Sequence, residues 1–170
     1  MNKTRKKISI ISPCYNESHG IYKCHSAIKD GFSNKLNSYT YEHIFCDNSS
    51  SDDSKEILRK IAKEDKNAKI VFNASNYGSQ KSIFNTLKYA SGDAVILFLP
   101  IDLQDPPHLI DDFIKKWESG YDFVYGTRDK RSEFFIMKFI RKLFYSIIFF
   151  SSSGRIPKNI SDFQLVDKKI

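Results

Sequence analysis

The sequence lacks the signals of several common protein classes. Its three cysteines, Cys14, Cys24 and Cys46, are odd in number and form no C-x-x-C pair, which argues against a disulfide framework or a zinc site and favours a reducing compartment. No run of about 18 uncharged apolar residues occurs, so no membrane span is expected. The basic N-terminus precedes only a short apolar run, which predicts a buried first strand rather than a signal peptide. We therefore expect a cytoplasmic protein.

Two nucleotide-binding motifs are also missing. Neither G-x-G-x-x-G nor G-x-x-x-x-G-K-[ST] occurs, which argues against a dinucleotide site or a P-loop. The 170 residues, 41% of them hydrophobic, are enough for one domain with a core. With 27 Lys and Arg against 20 Asp and Glu, the net charge of +7 favours an anionic partner such as a phosphorylated molecule or an anionic membrane. No motif or basic stripe indicates nucleic acid, so none is expected as a partner.

Five short apolar runs predict the strands of a sheet. They are nearly continuous rather than alternating, which indicates burial on both faces and a parallel sheet covered by helices. The predicted strands are 8–12, 41–46, 69–72, 94–99 and 122–125. Helical patterns at 54–66, 80–90 and 106–118 lie between them. The alternation of strands and helices predicts a doubly wound α/β sheet with right-handed crossovers.

Each predicted strand is followed by a cluster of polar residues. These clusters lie at 13–17, 47–53, 73–78, 102–105 and 126–131. In open α/β sheets, ligands bind in the crevice outside the carboxyl ends of the strands. The pattern therefore predicts a small-molecule site at that edge.

The first two clusters offer groups that suit a nucleotide. Pro13 is predicted to end the first strand, Tyr15 can lie against a flat base, and Glu17 can accept hydrogen bonds from base or sugar. Glu17 is equally compatible with an ordinary acid in the first turn of a helix. Asp47 can accept from the imide N–H of uracil or guanine, and it lies too early to cap the next helix, which residues 52–53 are predicted to do.

Two further clusters suit phosphates. The turn containing Asn76 and Gly78 leads into a helix with Lys81 in its first turn. Helix N-termini bind phosphates through free N–H groups, and a lysine there opposes the helix dipole, so an anionic ligand is indicated. A solvated surface lysine remains an equal alternative. Arg128 and Arg131 suit phosphate oxygens, or are simply exposed on a basic chain.

The cluster after the fourth strand suits a metal ion. Asp102 and Gln104 present oxygen ligands of the kind that Mg²⁺ and Mn²⁺ prefer, and a diphosphate leaving group needs such a cation. Asp105 directly precedes Pro106 and is predicted to be the N-cap of the next helix.

The segment 134–150 predicts a helix lying in a membrane interface. Lys138, Arg141, Lys142 and Tyr145 recur at helical spacing, so one face is basic while the rest is aromatic and aliphatic. A core helix is the alternative.

Six of these elements, in order, resemble glycosyltransferase family 2, and more narrowly its polyprenyl-phosphate glycosyltransferases. They are PCYNE, the Asp47 loop, NYG, DLQDPP, the GTR–R pair and SDFQLVDKK, and they extend from about residue 8 to residue 170. The resemblance implies a GT-A fold, a UDP- or GDP-sugar donor, and a polyprenyl phosphate or glycan acceptor. It assigns the nucleotide to Pro13, Tyr15, Glu17 and Asp47, and the metal to Asp102 and Gln104. It assigns phosphates to Arg128, Arg131 and Lys168, and places Asp162 near the reaction centre.

Three departures accompany the resemblance. Pro100 stands where the family's D-x-D metal motif has its first Asp, Gln164 stands where an arginine is common, and relatives continue well beyond the last motif. We expect a nucleotide-sugar-binding core at 1–133, an interfacial helix at 134–150 and the start of an acceptor-side segment at 151–170. The expected function is inverting sugar transfer at the cytoplasmic membrane face, with Asp102 and Asp162 as catalytic residues. The alternative is a truncated, non-catalytic nucleotide- or membrane-binding fragment.

Overall fold

The computed structural model describes residues 5–127 and 160–170. The chain divides into two compact units, one formed by Met1–Val124 with Phe163–Ile170 and the other by Tyr125–Asp162. Of the second unit, only 125–127 and 160–162 are among the described residues. The predicted interfacial helix at 134–150 and the predicted phosphate ligands Arg128 and Arg131 lie outside them.

Six strands of the described residues form one sheet. Their bounds are β1 Lys7–Cys14, β2 Thr40–Asp47, β3 Ala68–Phe72, β4 Ala94–Leu97, β5 Phe123–Thr127 and β6 Ile160–Asp167. They lie in the order β3-β2-β1-β4-β6-β5. β1 pairs in parallel with β2 and with β4, and β2 pairs in parallel with β3. β6 runs antiparallel to β4, so the predicted mostly parallel sheet is confirmed, with one reversed strand that the sequence did not predict.

Four helices connect the strands of the first unit. They are α1 Ile21–Asn34, α2 Ser54–Glu64, α3 Ser79–Leu87 and α4 Leu109–Glu118. The alternation of elements requires a helix between β1 and β2, and α1 fills that place with Ile21, Ile28 and Phe32 buried on one side. In the described residues, no helix is long and apolar enough to cross a membrane.

The core lies mainly on one face of the sheet. Ile10 belongs to a large buried cluster that includes Ile28 of α1 and Ile114 of α4, whereas its neighbour Ile11 packs in a small cluster with Ile83 of α3. Because successive strand residues point to opposite faces, α3 covers the face opposite α1 and α4. Among residues 5–127 and 160–170, the apolar cover on the α3 face is therefore thinner.

Three local expectations were wrong. β3 and β5 are only partly buried, because each lies at an edge of the sheet. β1 extends past Pro13, which pairs with Cys46 inside the strand. Asp105 does not cap α4, which begins at Leu109; the turn before it is closed by the Leu109 N–H donating to the carbonyl of Pro106 at 3.1 Å.

Candidate functional site

The loops that follow β1, β2, β3 and β4 leave the sheet at one edge. Cys14 and Asp47, the last residues of β1 and β2, are register partners. The Asn48 N–H donates to the Cys14 carbonyl at 2.8 Å, and the Asn73 N–H donates to the Asp47 carbonyl at 2.9 Å. Of the five polar clusters predicted at the carboxyl edge, the four after β1 to β4 are found there, and the fifth, at 126–131, lies mostly outside the described residues.

Side-chain hydrogen bonds tie the loop after β1 to the loop after β2. The Asn16 carbonyl Oδ1 accepts from the Ser51 N–H at 2.8 Å, and the Ser54 Oγ accepts from the Glu17 N–H at 3.0 Å. These bonds fix the backbone that carries Glu17, which is itself exposed, and Tyr15, whose side chain is 47% exposed. The two side chains predicted to meet a nucleotide therefore project from a braced loop.

Asp52 accepts two backbone hydrogen bonds that help to hold these loops in place. Its Oδ1 accepts from the Ser54 N–H at 3.0 Å, and its Oδ2 accepts from the Ser18 N–H at 3.1 Å. Burial raises the pKa of Asp52, but the hydrogen bonds from Ser54 and Ser18 outweigh it and lower the pKa to about 2. Asp53 occupies the N-cap position of α2 without a side-chain capping bond, so Asp52 satisfies the first-turn amide instead.

Asp47 is the most unusual carboxylate of this edge. The residue is fully buried, and its Oδ2 accepts from the Ser50 N–H at 3.2 Å. Its Oδ1 is buried without a hydrogen-bond partner among the described residues. Because a buried acceptor without a donor is costly, Asp47 is suited to receive a donor from a ligand.

A network of buried asparagines holds the loop after β3. The Asn73 Nδ2 donates to Asn48 Oδ1 at 3.1 Å and to Ser82 Oγ at 3.0 Å. The Asn48 Oδ1 also accepts from the Tyr77 N–H at 3.1 Å, and the Asn85 Nδ2 donates to Asn73 Oδ1 at 2.9 Å. Sequence reasoning missed Asn48 and Asn73; their place directly after two predicted strands was the available signal.

The predicted phosphate-binding turn leads into α3. Gly78, the N-cap residue, has a φ of 82°, a left-handed conformation that favours glycine. The Asn76 Oδ1 accepts from the Gly78 N–H at 2.9 Å, and Lys81 lies exposed in the first turn of the helix. The first N–H groups of α3 thus begin at the same edge as Asp47.

Asp102, predicted to bind metal, lies in the loop after β4. It is exposed, and its Oδ1 accepts from the Gln104 N–H at 3.1 Å. The pKa of Glu17 is raised, first by burial and then by the negative charges of Asp102 and Asp52. Glu17 and Asp102 are therefore in electrostatic contact although they follow different strands. No group of three or more His, Cys, Asp or Glu residues that could hold a metal occurs in the described part of the chain.

Four residues other than glycine adopt left-handed backbone at this edge. Asn16 has a φ of 54° and Ser49 of 64°, while Phe98 and Leu103 have φ values of 55° and 58°. They lie in the loops after β1, β2 and β4. Such conformations are costly and cluster at functional sites, so their concentration here supports the assignment of this edge.

Lys168 does not join this group. Its N–H donates to the carbonyl of Asp93, just before β4 begins, because β6 runs antiparallel to β4. Lys168 therefore lies at the amino edge of β4, and its predicted role in phosphate binding at the site is corrected. Asp162 is exposed on β6 and belongs to the second unit.

All three cysteines are buried and free. Burial raises the pKa of Cys14 to about 12, with the nearby charge of Asp47 adding to the effect. Its thiol is therefore held in the unreactive form beneath the site.

Sequence comparisons identify a protein family that matches this chain. The sequence profile of Glycosyl transferase family 2 matches residues 9–170. An uncharacterized glycosyltransferase of Bacillus subtilis, YkcC, is 36% identical over 163 residues, which are 95% of this chain and 50% of YkcC. The bactoprenol glucosyl transferase of Shigella phage SfV is 30% identical over 165 residues, which are 96% of this chain and 53% of that protein. The chain spans about half the length of these curated relatives.

Structural comparisons identify solved proteins with a similar fold. Mannosyltransferase PcManGT from Pyrobaculum calidifontis, solved with GDP-Man and Mn²⁺, has a TM-score of 0.63 at 17% identity, over 97% of this chain and 45% of its own. Glucosyl-3-phosphoglycerate synthase from Mycobacterium tuberculosis, solved with Mn²⁺, UDP-Glc and glycerol 3-phosphate, has a TM-score of 0.66 at 20% identity, over 96% of this chain and 57% of its own. The architecture of the two enzymes is shared with this chain.

Proposed function

Because this chain belongs to glycosyl transferase family 2 and has the GT-A fold, we propose that it binds a nucleotide-diphosphate sugar for an inverting sugar transfer. The binding edge is the carboxyl edge of β1 to β4. The observation that carries the proposal is the buried Asp47 Oδ1, which has no partner among the described residues and lies at the end of β2, on the edge where the loops after β1, β3 and β4 also leave the sheet.

Asp47 and Tyr15 bind the nucleotide in this proposal. The imide N–H of uracil or guanine donates to the Asp47 Oδ1 and satisfies it. Tyr15, exposed at the end of β1, lies against the base, and Pro13 fixes the strand beneath it. Glu17 accepts from the ribose hydroxyls, and its pKa is raised first by burial and then by the charges of Asp102 and Asp52.

The diphosphate lies toward α3. The free N–H groups at the start of α3, the turn of Asn76 and Gly78, and the Lys81 ammonium supply donors and positive charge. Arg128 and Arg131, which the family resemblance assigns to phosphates, complete the set in this proposal. Lys168 is not included, because it lies at the amino edge of β4.

The residues present fit a divalent cation that is held by a few protein ligands together with oxygens of the diphosphate. They do not suit a cation held by protein ligands alone. Asp102 keeps one carboxylate oxygen without a hydrogen bond to Gln104, and Gln104 is exposed beside it. The pKa of Glu17 is raised by burial and then by the charges of Asp102 and Asp52. The raised pKa indicates a local excess of negative charge, which a bound cation would balance. Mg²⁺ is commonly bound through one or two carboxylates plus substrate phosphates, which suits a site with Pro100 in place of a second acid. Bound Mg²⁺ or Mn²⁺ would neutralise charge developing on the leaving diphosphate.

The proposed acceptor is a polyprenyl phosphate at the cytoplasmic face of the membrane. The bactoprenol glucosyl transferase relatives support this choice, as does the net charge of +7. A phosphate oxygen is already anionic, so its attack on the anomeric carbon needs no general base. If the acceptor is instead a glycan hydroxyl, Asp162 is the proposed base.

Isothermal titration with UDP-glucose and GDP-mannose in Mn²⁺ tests the donor site. We expect one of them to bind, and Asp102→Asn to lower its affinity about tenfold or more in Mn²⁺ but little in a chelator, since a hydrogen bond or ligand from a charged group contributes about 1.5–3 kcal/mol. Asp112→Asn, an exposed acid on α4, is the matched control. If neither nucleotide sugar binds, the proposal is wrong.

Transfer is measured separately with labelled donor and polyprenyl phosphate in detergent. The product's anomeric configuration, read by NMR, should be opposite to the donor's. Binding of the donor without transfer by this chain would favour the alternative of a non-catalytic binding fragment.

A further inference from the structure

The outer face of α3 carries large apolar side chains in solvent. Phe84 is 73% exposed and Leu87 is 37% exposed, and Tyr77, two residues before the helix begins, is 53% exposed. Lys81 and Lys88 are exposed between them. Lys81, Phe84 and Lys88 recur at helical spacing on α3 and its C-cap residue, and with Leu87 they form one stripe, here called the α3 stripe.

Packing of the fold does not require the α3 stripe. The opposite side of the helix, with Ser82, Ile83 and Thr86, supplies the buried contacts to the sheet. Phe84 faces away from that contact. A phenylalanine left almost three-quarters in solvent stabilises nothing within the described fold, and exposed apolar patches commonly mark contact surfaces.

The charged side chains of the segment that contains α3 have one sign. From Lys66 to Gly92 the chain has four lysines and no Asp or Glu. The Lys88 Nζ lies 5.1 Å from the centre of the Tyr89 ring, and Tyr89 is itself 50% exposed. Aromatic and aliphatic side chains interleaved with lysines on one helix face are typical of helices that lie in a lipid headgroup region.

We propose that the α3 stripe lies on an anionic lipid surface. Phosphate headgroups complement Lys88, whereas Lys81 is left to the donor diphosphate, and Phe84 and Leu87 reach the acyl boundary. A second copy of the chain is disfavoured, because a twofold contact would place this basic stripe against itself. The inference rests on the proposed function for its purpose: α3 begins at the proposed donor site, so contact through its outer face brings that site to the lipid phosphate.

Fluorescence from an indole placed at residue 84 tests this contact locally. In Phe84→Trp, vesicles of phosphatidylglycerol with brominated phosphatidylcholine should shift the emission to the blue and quench it. The native Trp117 is only 7% exposed and gives a constant background. Tyr121→Trp is the matched control, since Tyr121 is 59% exposed and lies outside the stripe. The local readout matters because residues 134–150 are also proposed to meet the membrane.

Partition onto the same vesicles supplies a second measurement. Lys88→Gln should weaken partition about fivefold, the effect of one lysine near an anionic surface, and Phe84→Ser should weaken it at least as much. Lys23→Gln, an exposed lysine on α1, should change it less. Equal quenching at residues 84 and 121, or no effect of Phe84→Ser, overturns the inference.

Two further outcomes separate the possible failures. A dimer in sedimentation that Phe84→Ser dissociates would assign the stripe to a second copy and overturn lipid binding. Nucleotide-sugar binding is titrated in the same variants. If it persists while vesicle contact at residue 84 is absent, the α3 inference fails and the proposed function stands; if it is absent in the unmodified chain, the proposed function fails.

Discussion

The carboxylates of the candidate site differ in what satisfies them. Asp52 accepts two backbone N–H bonds, and its lowered pKa of about 2 keeps it ionised as a structural brace. Asp102 is exposed, and its charge adds to the effect of burial in raising the pKa of Glu17. Asp47 is buried with one oxygen lacking a donor in the described residues. The three acids therefore suit three roles. Asp52 is suited to hold the loops in place, Asp102 to bind a cation, and Asp47 to accept a hydrogen bond from the nucleotide base.

Asp47→Asn tests whether Asp47 accepts a hydrogen bond from the nucleotide base. We expect nucleotide affinity to fall about tenfold to a hundredfold, because a hydrogen bond to a charged acceptor contributes about 1.5–3 kcal/mol. The unmodified protein should also reject a nucleotide methylated at the imide nitrogen, whereas the variant should bind both nucleotides about equally. Asp53→Asn, an exposed neighbour, is the control. Full discrimination by Asp47→Asn in calorimetric titrations would contradict the assignment.

His43 predicts a pH dependence of stability. It is fully buried, its Nε2 lies 2.9 Å from Ser12 Oγ, and its ring stacks on His25 at 5.8 Å. Burial, with His25 adding to it, lowers the pKa of His43 well below its usual value. The unfolded imidazole, with a pKa near 6.5, then binds a proton that the folded one does not, so stability is full above about pH 6.5 and falls below it.

Urea unfolding between about pH 7.5 and 5.5 measures this effect, whose limiting slope is about 1.4 kcal/mol per pH unit for one histidine. His43→Gln should reduce the slope. His19→Gln, at an exposed position, should leave it unchanged. A slope of the same size in His43→Gln would assign the pH dependence to other groups.

Single residues were predictable where their position alone was informative. Asp47 and Asp102 follow predicted strands too early to cap a helix, and both lie at the predicted edge. Asn48 and Asn73 were missed because their partners are 25 residues apart in the chain, so only the paired strands bring them together. Lys168 was misplaced for the same reason: its position depends on the direction of β6, which a short apolar run does not reveal.

At the scale of elements, Glu42 links β1, β2 and β3 near the amino ends of these strands. It lies on β2 with 1% exposure and accepts from Lys7 on β1 and Lys69 on β3, each at 2.7 Å through Oε2. Its Oε1 accepts from Ser9 Oγ and from the Ser91 N–H, both at 2.6 Å. Burial raises the pKa of Glu42, but these bonds outweigh it and lower the pKa to about 2. Its contribution is thus present above about pH 4.5 and lost as the pH falls toward 2.

Glu42→Gln tests this junction. We expect the free energy of unfolding to fall by about 2 kcal/mol, since hydrogen bonds to a buried charged group are lost while the two lysines stay partly solvated. Glu118→Gln removes an exposed pair with Lys6, at 3.0 Å, and should cost less than about 1 kcal/mol. Chemical denaturation of both variants checks the difference; equal losses would contradict the role given to Glu42.

Elements were predicted best where burial is complete. The runs of β1 and β2 are nearly all buried and were found within two residues of their ends. The start of α4 was misplaced because Pro106-Pro107 forms a turn before the helix rather than its first residues. β6 was recognised as a motif and not as a strand, because Phe163 and Leu165 alternate with less buried residues on an antiparallel strand.

At the scale of the whole molecule, the chain spans about half the length of its curated relatives, and donor binding is the activity proposed for it. The first unit holds the loops after β1, β2, β3 and β4, together with α3. Of the proposed site residues, Arg128, Arg131 and Asp162 belong to the second unit. The proposed contacts to the nucleotide base and to the cation involve only residues of the first unit.

Amide NMR spectra titrated with the bound nucleotide sugar and Mn²⁺ test the central claim, which is the location of donor binding. The amides of Asn16, Ser50, Tyr77 and Gln104 at the carboxyl edge should shift or broaden, while those of Ser91 and Lys168 at the amino edge should not. The same pattern, weakened, should appear with nucleotide alone. Shifts confined to the amino edge, or none at Ser50 and Tyr77 under saturating nucleotide, would contradict it.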